Sequence, residues 1–308
     1  MKRAFLFLLL CPSLYAGSYA GGTGGGTAVD EPVAGFVGSS VNPVFVAWAT
    51  SVADYSPAND DLIDAQWKNA SNALGPIETV DSGGSVSTAN LVSLGDLSRS
   101  DIANGVNPGS ITLYFSTAIT NGAGADFAVF ENAMNSLYVS GSVFVELAYV
   151  EVSTDGVNFV RFPSISTNPE RPVDADYFVT ETQARQYGSY DPTNIYNLAG
   201  KSVNQDENSW GTPFDLSSLL TTTEVQNGVV DLSNICYVRI VDIPGTGDYT
   251  DSQGNPIYDA WETQGSGGFD LAGVGVINAA IPEPAHAAAL LLLCALLHRT
   301  GDRRRICK

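Results

Sequence analysis

Carboxylates carry most of the chemistry this sequence can offer. Residues 241–270, VDIPGTGDYTDSQGNPIYDAWETQGSGGFD, hold Asp242, Asp248, Asp251, Asn255, Asp259, Glu262 and Asp270 in a Gly-rich setting. Ca²⁺ takes about six to eight oxygens from carboxylates, amides and backbone carbonyls, and Gly-rich loops leave such carbonyls free to turn. The spacing is not that of an EF-hand, because Gln253 follows Asp248, Thr250 and Ser252 where that loop needs Gly. A merely solvated acidic loop accounts for the same residues, and both readings stay open.

A second acidic group comprises Asp126, Glu131, Asn132, Glu146 and Glu151. If residues 143–153 form a strand, Glu146 shares a face with Ala148, Val150 and Val152. A carboxylate buried there needs a partner. Arg239, in the apolar run YVRIVDI, would serve, and so would a metal. Alternatively Glu146 lies at a frayed strand start and meets water. The metal-ligand candidates are therefore Asp242, Asp248, Asp251, Asp259, Asp270, Glu131 and Glu146, with Ca²⁺ as the ion they would suit. Aromatic residues dot the same loops, and Tyr190, Trp210 and Trp261 are the candidates for stacking on sugar rings. The competing reading is that these rings only pin the loops down.

Other catalytic constellations are excluded. Both histidines, His286 and His298, lie near the C-terminus. The rest of the chain therefore holds no Ser-His-Asp triad, Cys-His dyad or His-ligated zinc, and no catalytic residue is assigned. Carboxylate-pair chemistry remains as the alternative, a glycosidase or polysaccharide lyase using Glu131 and Glu146. Of the four cysteines, Cys11, Cys294 and Cys307 lie at the ends, which leaves Cys236 as a lone thiol in a strand-like run. A buried, inert thiol is expected there. Residues 21–281 carry 31 acidic and seven basic residues. So acidic a surface repels nucleic acid and anionic lipid and attracts cations.

The segments that must position these groups read as strands. SITLYFS (110–116), DFAVFEN (126–132), VFVELAYVEVS (143–153), NFVRFP (158–163) and CYVRIVDI (236–243) are β-branched and aromatic. STDGVN is a hairpin turn signal, and GGFDLAGVGVIN closes the domain as a final strand. LIDAQWKNASNALG (62–75), preceded by two acids and ended by Gly75, predicts one short helix. Residues 164–210 form a long polar segment of the kind that is usually functional. The expected fold is an all-β, jelly-roll-like sandwich over residues 30–280 with long loops.

The ends read as addresses. Met1-Lys2-Arg3, an apolar run over 4–10 and small residues after it make a secretory signal peptide, residues 1–20. Cleavage after Ala20 fits the small-residue rule better than cleavage after Ala16, where Leu14 would stand at −3. A flexible Gly-rich leader, residues 21–29, follows. At the other end IPEPA precedes an apolar run over 285–297, then HRTGDRRRICK over 298–308. As a helix the run would span ~20 Å against a hydrocarbon core near ~30 Å. The arginines after it suit a single membrane anchor with its basic end inside.

Pro282-Glu283-Pro284, the apolar segment and the basic cluster of Arg299, Arg303, Arg304 and Arg305, in that order, resemble the PEP-CTERM protein-sorting signal. The resemblance covers residues 281–308, and the membrane segment is shorter than that pattern has. It implies Sec export, recognition by an exosortase, transient anchoring in the inner membrane, and delivery to the cell surface or matrix of a Gram-negative bacterium that makes exopolysaccharide.

The body, through NPVFVAWATSVADYSPA, NGAGADFAVFENA, ELAYVEVSTDGVNFVRFP, DPTNIYNLAGK, GTPFDLSSL and YDAWETQGSGGFDLAGVGVIN, resembles uncharacterised bacterial cell-surface domains that carry such tails. VEVSTDGVNFVRF is also similar to a hairpin of galactose-binding-like sandwiches. These resemblances imply no established activity. The two ends, the absence of histidine from the body and its acidic, strand-rich character point to a non-catalytic surface or matrix module that would bind Ca²⁺ or polysaccharide and not nucleic acid.

Overall fold

The computed structural model describes residues 17–79, 84–170, 186–205 and 209–280. The sorting motif, the apolar run and the basic tail over 281–308 lie outside the described residues, as do residues 1–16. Among the described residues no helix is long and apolar enough to cross a membrane.

The fold is all-β. One five-stranded antiparallel sheet contains β1 (Val33–Ala34), β2 (Ala47–Trp48), β6 (Phe127–Phe130), β9 (Trp210–Phe214) and β12 (Gly273–Val276), in the order β1-β9-β6-β12-β2. The other contains β3 (Ser51–Ser56), β5 (Ser110–Ile119), β7 (Ala148–Ser153), β8 (Val160–Arg161) and β10 (Ile235–Asp242), in the order β8-β7-β10-β5-β3. A smaller pair joins β4 (Val92–Ser93) to β11 (Asp270–Leu271). Phe127, Val129, Phe214, Val274 and Val276 of the first sheet share one core with Ile111, Leu113, Phe115, Val150, Val152, Val238 and Ile240 of the second. The two sheets thus pack in a sandwich-like way.

Burial explains the sequence patterns. Phe127 and Val129 face this core, while Ala128 and Phe130 face another with Phe45, Ile77, Val86 and Leu91. A strand covered on both faces reads as an unbroken apolar run, as FAVF does. On β10, Val238 and Ile240 point inward while Tyr237 and Arg239 stay half-buried, which gives the alternating run. The β7–β8 turn forms because Asp155 Oδ1 accepts the Val157 and Asn158 N–H groups, both at 2.8 Å, and Gly156 takes φ +76°.

The helix expected over 62–75 is absent. Three 3₁₀ turns stand there instead, Asp60–Leu62, Ala65–Trp67 and Ala70–Ala73. Asn59 is left-handed, Asp64 is extended, and Asn69 is extended with its side chain accepting Ser71 N–H. Asx side chains that bond their own backbone compete with helix, and the apolar stripe here is too weak to win. A short helix forms elsewhere, α1 (Arg99–Ala103), where Ser98 and Asp101 make a capping box. Residues 143–153 likewise break into Val143–Phe144 and β7, so Glu146 stands just outside the strand. The leader packs on the body: Val203 N–H donates to Gly22 O at 2.7 Å, and a Cβ on Gly24 would come within 2.4 Å of the Trp210 ring.

Candidate functional site

Register brings one end of both sheets together. Phe130 pairs with Gly273, so Glu131 leaves the first sheet beside the approach to β12. Ala148 pairs with Asp242, so Glu146, two residues before β7, and Asp242, the last residue of β10, leave the second sheet side by side. Asp270 starts β11 opposite Ser93 of β4, and Asp96 follows three residues after that serine. Asp259 comes from the loop between β10 and β11. Six acids from six segments lie at this end, and all are buried.

Four of these acids are held through one oxygen, and Asp96 through both. Phe269 N–H donates to Asp242 Oδ1 at 2.8 Å, and Leu147 N–H to Asp259 Oδ2 at 2.7 Å. Asn132 Nδ2 donates to Asp270 Oδ2 at 3.1 Å, and Ala133 N–H to Glu131 Oε2 at 2.6 Å. Asp96 takes Leu97 N–H at 2.8 Å on one oxygen and Thr263 N–H at 2.9 Å on the other. Asp242 Oδ2, Asp259 Oδ1 and Asp270 Oδ1 have no hydrogen-bond partner among the described residues. Gly268, at φ +64°, lets its backbone close over the site: a Cβ there would lie 2.8 Å from Asp242 Oδ1 and 2.5 Å from Gly95 O.

Among the described residues no Lys or Arg makes an ion pair with any of the six. Burial raises the pKa values of all six, and for Glu131, Glu146, Asp242 and Asp259 the charges of neighbouring acids add to it. Desolvation pushes Asp96 up to about 7 and Asp270 up to about 8. Desolvation raises Glu131 well above the ordinary range, with the Asp270 charge adding to it, and Glu146 likewise, with Asp270 and Glu131 adding. Asp242 and Asp259 are raised by desolvation first, then chiefly by Asp96 and by Asp242 respectively. A cleft lined by Arg99, Tyr190, Gly245, Tyr258 and Trp261 reaches Asp259, with an interior of about 20 Å³. That is room for a water or an ion and not for a sugar ring.

Five of the seven predicted ligands, Asp242, Asp259, Asp270, Glu131 and Glu146, meet in this cluster. Asp248 and Asp251 do not belong to it. Asp248 is exposed and accepts Thr246 Oγ1 at 2.8 Å. Asp251 is buried but organises its own turn. Asp96 was not anticipated: it is an isolated acid between the buried Leu94 and Leu97, and only its apolar surroundings could have marked it. Arg239 is not the partner of Glu146. It lies across the register from Glu151 and donates to Glu151 Oε2 at 2.6 Å, while Arg161 donates to Oε1 at 2.9 Å. Glu146 is buried, not at a wet strand end. Asp126, also from the second group, accepts Gly122 N–H, Leu216 N–H and Asn278 Nδ2, and so holds a loop junction. Among the described residues no three Asp, Glu, His or Cys side chains stand around a common metal-holding point.

The aromatic candidates are less open than expected. Tyr190 is 1% exposed, and Trp261 is 5% exposed with Nε1 donating to Leu97 O at 2.7 Å. Trp210 is half-buried in β9 under the leader. Cys236 is half-exposed rather than buried, and desolvation raises its thiol pKa. No protein-family model matches the chain, and no curated protein matches it.

Proposed function

We propose that this chain is an exported, non-catalytic surface or matrix module whose body is stiffened by Ca²⁺ at the Asp96–Glu131–Glu146–Asp242–Asp259–Asp270 cluster. The observation that carries the reading is the set of three sealed aspartates, each holding one oxygen to the protein and leaving the other without a partner. Native interiors seldom leave such oxygens unmet. A hard cation would meet such oxygens, and with no three acids around one point among the described residues its shell would be two carboxylates completed by carbonyls and water. In this reading the sandwich is jelly-roll-like, with the galactose-binding-like hairpin at β7–β8. Pro282, Glu283 and Pro284 direct sorting by an exosortase, and residues 285–297 anchor the chain in the inner membrane before it reaches the surface. Exopolysaccharide is the partner in that setting.

Melting the protein in EDTA and in millimolar Ca²⁺ tests the cation. A midpoint that is the same in both removes it. Deleting residues 285–308 tests the sorting, and the expected result is release from membrane fractions. Unchanged fractionation removes that part of the reading.

A further inference from the structure

The segment before the leader is built into the fold. Gly17 N–H donates to Thr193 Oγ1 at 2.6 Å, and Tyr19 N–H to Thr193 O at 3.1 Å. The Tyr19 ring stacks on Tyr196 with centroids 4.9 Å apart. Ala20 is 3% exposed. Its N–H donates to Asp30 Oδ1 at 3.0 Å, and its carbonyl accepts Lys201 Nζ at 3.3 Å. Lys201 is fully buried, pairs with Asp30 and also donates to Ile195 O at 2.8 Å. Ala20 therefore supplies one donor and one acceptor to a buried ion pair.

Two bonds compete for removal of the signal. Cutting after Ala20 places small residues at both recognised positions, Ser18 and Ala20. It also strips Ala20 from Asp30 and Lys201 and takes Tyr19 off Tyr196. Buried charges that lose hydrogen-bond partners are strongly destabilising. Cutting after Ala16 keeps every one of these contacts and accepts Leu14 at −3. The new terminus would also be suitably placed. Thr193 Oγ1, the acceptor of Gly17 N–H, itself donates to Asp191 Oδ1 at 2.7 Å, so an ammonium at Gly17 forms next to a carboxylate. A side chain at position 17 would put Cβ 1.9 Å from Thr193 O, so the docked terminus requires Gly.

We propose that signal peptidase cuts between Ala16 and Gly17, and that the new N-terminus docks as a latch over Thr193, Tyr196 and the Lys201–Asp30 pair. Water adds to the Ala16 carbonyl carbon and the C–N bond to Gly17 breaks. Ala16 leaves as a carboxylate and the Gly17 amine takes up a proton. The proposal rests on the exported reading.

The test is N-terminal sequencing and intact mass of the full chain exported by a Gram-negative host. A Gly17 start is expected. A Gly21 start overturns the proposal while leaving export intact, and a Met1 start overturns both. Ser18→Leu, at an exposed position, spoils only the Ala20 site, so processing at Gly17 with undiminished yield is expected. Loss of processing in that variant overturns the proposal. Tyr19→Ala should lower the melting midpoint of the exported protein by roughly 2–4 °C. An unchanged midpoint means that Tyr19 is not part of the mature fold, and also overturns it.

Discussion

Asp242 and Asp251 lie nine residues apart and are both almost sealed from water, yet their surroundings treat them oppositely. Asp251 is filled. Its Oδ1 accepts Gln253 N–H and Asn255 N–H, each at 2.8 Å, and its Oδ2 accepts Ser166 N–H and Asn255 Nδ2, each at 3.0 Å. Burial pushes its carboxyl up, but these donors outweigh it and hold the carboxyl below its ordinary value. Asp242 has one donor, an orphaned Oδ2 and other acids for company, and its carboxyl is pushed well up. Burial alone does not decide what a carboxylate does. Asp251 draws three of its four donors from its own turn, whereas the cluster assembles acids from segments whose N–H groups are largely committed to the sheets. Such a cluster has to be completed by protons or by a cation.

The largest expected difference between the two regions is in pH dependence. For a raised carboxyl the stabilising contribution is complete below about pH 4, the unfolded value, and is lost as pH climbs through the folded value. In EDTA, stability should therefore fall from about pH 4 toward pH 7–8, the range set by Asp96 and Asp270. Each group withdraws up to about 1.4 kcal/mol per pH unit. Asp251 works the other way, holding its contribution above about pH 4 and losing it as the pH falls below. Chemical melts in EDTA at pH 5, 6 and 7.5 check this, and stability that rises over that range contradicts it.

Asp251→Ala comes next. It leaves three backbone donors and one amide unmet, so a loss of roughly 3–4 kcal/mol is expected, the same with and without Ca²⁺. A loss that depends on Ca²⁺ would put Asp251 back in the ion site. Ca²⁺ itself should stabilise the unaltered protein by about 2.7 kcal/mol at a hundred times its dissociation constant. That corresponds to roughly 5–10 °C in midpoint for a domain of this size. The gain should be greater at pH 7.5 than at pH 5, because the ion must displace protons.

The same contrast shows how far the sequence could be read. Strand runs such as FAVF and CYVRIVDI were legible because apolar periodicity reports burial directly. The STDGVN turn was legible because its chemistry is local. Asp248, Asp251 and Asp259 look alike in sequence, however, and end up exposed, hydrogen-bonded and half-met respectively. That outcome depends on long-range donors such as Ser166 and Leu147, which no local pattern reveals. Arg239 went to Glu151 rather than Glu146 because pairing register, not proximity in an apolar run, places it. Asp96 entered the site through the pairing of β4 with β11, where Ser93 stands opposite Asp270, and the Ser93 hydroxyl donates at 2.6 Å to Gly267 O, 174 residues away.

Asp242→Asn produces the smallest change in stability and separates the two aspartates most sharply. Asn keeps a carbonyl oxygen for Phe269 N–H and replaces the orphaned Oδ2 with an amide that donates to neighbouring carboxylates. In EDTA at pH 7 the variant should be as stable as the parent or more stable by about 1 kcal/mol, since one buried acid is neutralised without loss of shape. The same change removes an anionic ligand, so most of the Ca²⁺ gain should disappear. If Asp242→Asn instead costs more than about 2 kcal/mol in EDTA, then Asp242 is already satisfied, as Asp251 is. If it keeps the full Ca²⁺ gain, the ion binds somewhere else. Measured beside Asp251→Ala in the same two buffers, the variant tells a carboxylate that organises a loop from one that awaits a cation.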